Sequence, residues 1–122
     1  MGDIKCRYDI DELIEEMEVG EENIWELYKT YFWEMRENID DISKCLKANE
    51  LEKVERILHN IKGVSINLNI LDVHKEASSF SEKIKLGLGE KYEDYLNNLT
   101  HLLNGAEKEV KSFFKEKSIS LE

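Results

Sequence analysis

LEKVERILHNIKGVSINLNI, residues 51–70, decides how the rest of the chain is read. On a helix turning about 100° per residue, Ile57, Leu58, Ile61, Val64, Ser65 and Leu68 gather on one side. Glu52, Glu55, Arg56, Lys62, Gly63 and Ile66 gather on the other. His59 lies at the centre of that second group, almost opposite the apolar stripe. A solitary histidine is ordinarily a satisfied core residue, but this one faces away from the core. Lys62 and Gly63 stand three and four residues beyond it, the spacings at which helical side chains touch. Lys62 can place an ammonium beside an anion that His59 carries or meets. Gly63 costs about 1 kcal/mol relative to alanine in a helix interior, so it needs a reason. Two are open: close access to the imidazole for a second protein or a phosphoryl group, or close packing against another helix.

Ile66 is apolar on the same outer face, one turn past Gly63. With Ile14 and Met17 of the first helix it can form a small docking patch around His59, bordered by Glu55. Ordinary packing against that first helix is the alternative. At the end of the stretch, Asn67 suits a left-handed helix-ending position. Asn69 is expected to cap the next helix, with Asp72 as a capping-box partner.

Outward from this stretch the same period repeats. Ile10, Leu13, Ile14 and Met17 behind Asp9 or Asp11 predict a short first helix ending by Gly20. Ile24, Leu27, Tyr28, Tyr31, Phe32, Met35, Ile39, Ile42 and Leu46 predict a long second helix closing near Ala48 and Asn49. Beyond the third helix, Ile70, Val73, Ala77, Phe80 and Ile84 mark a fourth that stops around Gly87 and Gly89. A fifth runs from Tyr92 through Leu96, Leu99, Leu103, Ala106 and Val110 to Phe114. Short connections favour antiparallel neighbours. The expected fold is all-α: an antiparallel four-helix bundle, with the short N-terminal helix capping one end. One domain is expected over residues 1–122, its core about 9–116, with Leu121 and Glu122 as a candidate cloning remnant.

Composition narrows the function. The 122 residues hold 27 acids against 17 Lys and Arg, a formal charge of -10, and no proline. Residues 1–55 carry 17 of the acids and 7 of the bases; the remainder is balanced. An acidic chain is a poor partner for phosphate backbones, so nucleic acid is excluded. No apolar run approaches the roughly 20 residues of a membrane span, and no signal peptide is legible. Cys6 and Cys45, without close spacing, read as free thiols in a reducing compartment, hence a cytoplasmic protein. One chain can close the bundle, so a monomer is expected.

Competing chemistries lack their residues. A di-metal bundle needs Glu-x-x-His motifs, yet Arg56, Leu71 and Asn98 stand three before His59, His74 and His101; no metal site is expected. His74 and His101 read as boundary residues. Trp25, Tyr28, Tyr31 and Trp33 read as core and interhelix packing. No glycine-rich ATP loop is present, so autonomous kinase activity is not expected. An exposed neutral imidazole remains, a competent nucleophile toward an activated phosphoryl group.

His59-Asn60-Ile61-Lys62-Gly63, followed by Val64, Ser65, Leu68 and Asn69, resembles the signature of histidine-containing phosphotransfer (HPt) domains. That pattern is His-x-Leu-Lys-Gly, then small residues, then an apolar residue and a glycine ten positions after the histidine. Ile61 fills the Leu place and Lys62 and Gly63 match outright. Asn69 replaces the late glycine, Phe80 stands where a Leu is common, and Ser81 displaces the acid that often follows it. The resemblance spans roughly residues 9–116.

It implies a phosphorelay intermediate. His59, through Nε2, would take a phosphoryl group from a receiver-domain aspartyl phosphate, or from a sensor or hybrid histidine kinase, and pass it to a response-regulator receiver aspartate. Lys62 would offset phosphate charge and Gly63 would keep the approach open. No cofactor would be bound by this chain; the receiver would bring Mg²⁺. Alternatives are a non-catalytic helical module that binds receivers, or the phosphoacceptor domain of a larger hybrid or chemotaxis-type kinase. A sensor-kinase dimerisation hairpin fits poorly, because it usually has an acid directly after its histidine and a proline soon after.

Overall fold

Helix ends set the architecture. The computed structural model describes residues 8–18, 20–87 and 92–116. Among them are five helices, α1 (Ile10–Met17), α2 (Glu21–Lys47), α3 (Leu51–Asn67), α4 (Leu71–Lys85) and α5 (Tyr92–Glu116), and no strand. Asp9 caps α1 by accepting the Glu12 N–H at 3.0 Å. The α2–α3 and α3–α4 turns are built alike. Asn49 (φ 57°) and Asn69 (φ 63°) take the left-handed conformation that asparagine tolerates best after glycine. Each allows the next residue to reach back: Glu50 N–H to Cys45 O at 2.8 Å, and Ile70 N–H to Ser65 O at 2.9 Å. These paired bonds satisfy carbonyls that the helix ends would otherwise leave open. Gly87 (φ 74°) ends α4; the expected stop at Gly89 lies outside the described residues.

The turn between α3 and α4 differs in register from the sequence expectation. Asn67 is the last helical residue, and Asn69 takes the left-handed place two positions later. Asn69 does not cap α4. Ile70 holds the N-cap position without a side-chain cap. The Asn69 amide instead donates to Asp9 O at 3.0 Å, and Asp72 accepts from the Tyr8 hydroxyl and from Val73 N–H. Both asparagines are compatible with such backbone angles, and only the fold decides which one bears them.

α2, α3, α4 and α5 pack in a ring, each against the next and α5 back against α2, with α3 and α4 the most extensive pair. The interior holds Ile24, Tyr28, Tyr31, Met35 and Ile42 of α2, Val54, Leu58 and Ile61 of α3, Val73, Ala77 and Phe80 of α4, and Leu99, Ala106, Val110 and Phe114 of α5. Ile10 and Leu13 of α1 join this core. The Tyr8 and Asn69 bonds seat the start of α1 at the α3–α4 turn, which makes it a cap on that end of the bundle.

Two side chains expected in the α2 packing seam lie outside it. Trp33 is 60% exposed and packs no seam, and Leu27, placed in the α2 stripe, is 40% exposed. Trp25 is buried, as its reading as a packing residue expected, its ring 5.3 Å from that of Phe114. Two tyrosine hydroxyls fasten α2 to the end of α3: Tyr28 donates to Leu68 O at 2.6 Å, and Tyr31 pairs with Ser65 Oγ at 2.6 Å. Burial pushes the Tyr31 phenol well above its ordinary pKa, so it stays neutral. Ser65 is a core residue through this bond. An unpaired buried hydroxyl would cost about 1–3 kcal/mol.

Candidate functional site

α3 shows two unlike sides. Val54, Leu58, Ile61, Ser65 and Leu68 are buried, with Ile57 and Val64 partly so. Glu52, Arg56, His59, Asn60, Gly63, Ile66 and Asn67 are exposed. His59 therefore stands in solvent near the middle of the helix. Among the described residues, no side chain hydrogen-bonds to or pairs with its imidazole. Both ring nitrogens are unengaged, which leaves the ring able to present a lone pair outward.

Gly63 lies one helical turn, about 6 Å, further along the same face. A Cβ built there meets no heavy atom within 4 Å. The close-packing explanation for this glycine is thereby removed: no neighbouring helix requires it, and its φ is not in the left-handed region. The glycine leaves bare backbone beside the imidazole. Lys62, on the same turn, is half-buried. Its backbone carbonyl is held from outside the helix, because His74 Nδ1–H of α4 donates to Lys62 O at 3.0 Å. A carbonyl only accepts, so the contact requires a proton on Nδ1 of His74. His74 is thus more than the boundary residue its sequence position suggested. Its value lies in a cross-helix backbone contact, which helical periodicity does not encode.

The candidate docking residues are divided by the fold. Ile66 and Met17 are 44% and 43% exposed, surplus apolar surface on α3 and on the last turn of α1. Ile14 is spent on packing against the core, and Glu55 is half-buried on α3. Among the described residues, α1 and its caps contribute exposed Asp9, Asp11, Glu12, Glu15, Glu16 and Glu18 and no base. The outer face of α3 is balanced, Glu52 and Glu55 against Arg56 and Lys62.

Three clefts lie away from this face. One lies between α4 and α5, lined by Glu76, Leu86, Tyr95 and Asn98 among others; a second lies between α2 and α5; a third lies at the α3–α4 turn beside Tyr8. Desolvation raises the pKa of Glu76 in the first, partly offset by its hydrogen bond with Asn98. No group of three or more His, Cys, Asp or Glu among the described residues is arranged to hold a metal. No helix among them is long and apolar enough to cross a membrane. Cys45 is a half-buried free thiol, and Cys6 lies outside the described residues. Comparison of the chain with protein-family models, curated proteins and solved structures returns no match. What the fold and geometry define is a five-helix, all-α bundle that presents a solvent-facing histidine on one helix.

Proposed function

We propose that the chain is a phosphorelay intermediate that carries a phosphoryl group on His59. The observation that carries this reading is the open turn of α3. His59 is exposed and unpaired, and Gly63, one turn on, is a helix-interior glycine that no packing contact demands. The likeness of residues 59–69 to the HPt signature supports it, and Asn69 adds to that likeness. It holds a left-handed angle at the position where the signature has glycine.

In the transfer, an imidazole nitrogen attacks the phosphorus of a receiver aspartyl phosphate. The N–P bond forms as the acyl phosphate O–P bond breaks, and the aspartate leaves as carboxylate. The attacking nitrogen, Nε2 by analogy, must be unprotonated, with the ring proton on Nδ1. The reverse step returns the phosphoryl group to a second receiver aspartate. Lys62 offsets the negative charge of the phosphoryl oxygens from one side of the turn. Gly63 lets the partner's backbone and metal site come close to the ring. In this reading Mg²⁺ belongs to the receiver, and this chain supplies the acceptor nitrogen, a cation and access.

Incubation with phosphorylated receivers tests the reading. Label that is alkali-stable and acid-labile, and absent from His59→Gln, is expected. A folded protein that takes no label from any receiver would leave a non-catalytic receiver-binding module.

A further inference from the structure

The glycine that opens the face also weakens the helix beneath it. Gly63 sits in the interior of α3, where a residue without Cβ has more backbone freedom than any other. It lies between His59 and Ile66, so loosening there would let the two halves of the face move independently. The carbonyl immediately before it, Lys62 O, already accepts the Ile66 N–H within the helix, as each i to i+4 pair does. Its second lone pair takes the His74 Nδ1–H at 3.0 Å. The backbone that carries this imidazole is held on α4, where His74 N–H donates to Ile70 O and Ser78 Oγ donates to His74 O.

We infer that His74 is a positioning residue. It pins the backbone at the Lys62–Gly63 joint to α4, so that His59 and Lys62 before the glycine and Ile66 beyond it are held on one rigid surface. It touches neither phosphoryl group nor receiver, and acts through the Lys62 carbonyl. The inference rests on the phosphotransfer reading for its functional consequence, but the clamp itself is a property of α3 and α4 alone.

The test uses the full chain with His74→Leu, which removes the donor, and His74→Asn, whose amide nitrogen sits on the γ-carbon as Nδ1 does. Losing one hydrogen bond of ordinary net strength corresponds to about a three- to tenfold effect. In His74→Leu, amide hydrogen exchange of Gly63 to Asn67 is expected to quicken by that factor, while core amides of α2 and α5 keep their rates. Transfer to His59 is expected to slow by a similar factor, with the receiver concentration for half-maximal rate unchanged. His74→Asn should recover both. Exchange that is unchanged, or that rises equally in all helices, overturns the clamp. Local loosening with wild-type transfer overturns the positioning role. Should the parent chain accept phosphate from no receiver, the phosphotransfer reading fails by itself, and the exchange measurement still decides whether His74 holds the joint.

Discussion

Replacing Gly63 by alanine sets stability against function at one atom. The added methyl enters open space, since a Cβ at this position meets nothing within 4 Å. No clash offsets the gain in helix propensity, so the folded protein should be stabilised by about 1 kcal/mol. For a chain of this size that corresponds to a rise in Tm of about 3–5 °C. Urea or thermal denaturation followed by far-ultraviolet circular dichroism measures it directly. The same methyl stands one turn from the His59 ring, on the surface that a receiver covers on the proposed reading. Transfer from a phosphorylated receiver should fall, modestly for alanine and severely for phenylalanine, with weaker receiver affinity as the cause. The opposite signs make the prediction informative. A Gly63→Ala variant that is more stable and transfers at the parent rate would refute the access argument. A variant that is less stable would refute the placement of Gly63 on an open helical face.

Replacing His59 by glutamine should abolish alkali-stable, acid-labile labelling while changing unfolding free energy by less than about 0.5 kcal/mol, as for other exposed positions; a large stability loss would contradict its exposure. Lys62→Ala and Lys62→Met should both slow transfer without eliminating it, by about fivefold for a cation some 4 Å from the phosphoryl oxygens in a largely aqueous setting. Parent-like transfer by Lys62→Met would show that the side-chain stem matters and the charge does not. Glu76 gives a pH test. Its pKa is raised in the folded protein by desolvation, so folding favours the protonated acid, and stability is lost as pH rises from the unfolded to the folded pKa. Glu76→Gln should therefore be more stable than the parent at neutral pH and show a flatter dependence of denaturation midpoint on pH. An unchanged pH profile would refute the desolvation argument.

The parts of this fold that periodicity encodes were legible. The five helices and the outward position of His59 follow from which residues recur every third or fourth place. Cross-helix detail was not. Ser65 reads as a small residue in an apolar stripe, and only the arrival of Tyr31 from α2 explains a hydroxyl there. Leu27 and Trp33 look like core residues because hydrophobicity is counted one helix at a time, whereas burial depends on which neighbours cover which side. The α3–α4 turn was misplaced by two residues because three asparagines and aspartates within six positions all suit a turn. The choice among them is made by the Asn69 bond to Asp9 and the Tyr8 bond to Asp72, contacts some 60 residues away in sequence. His74 was passed over for the same reason. Its partner is a backbone carbonyl, and every residue offers one.

The uneven charge also takes on a location. The acids that make the first half of the chain anionic include six exposed residues on α1 and its caps, at the end of the bundle, whereas the face around His59 carries two acids against two bases. At physiological ionic strength the field of exposed charges fades over about 8 Å. His59 is seven residues, or about 10 Å of helix, from Ile66, which lies nearer the capped end. A partner over His59 is therefore largely screened from α1, and the phosphoryl group it brings is opposed by local charge that sums to zero. On the proposed reading, long-range attraction does little to select the receiver. Selection falls to what the face itself offers: the gap at Gly63, the ammonium of Lys62 and the exposed apolar surface of Ile66. Each of these depends on the α3 backbone between residues 59 and 66 keeping a single helical course through a glycine, and that gives the His74 contact its weight.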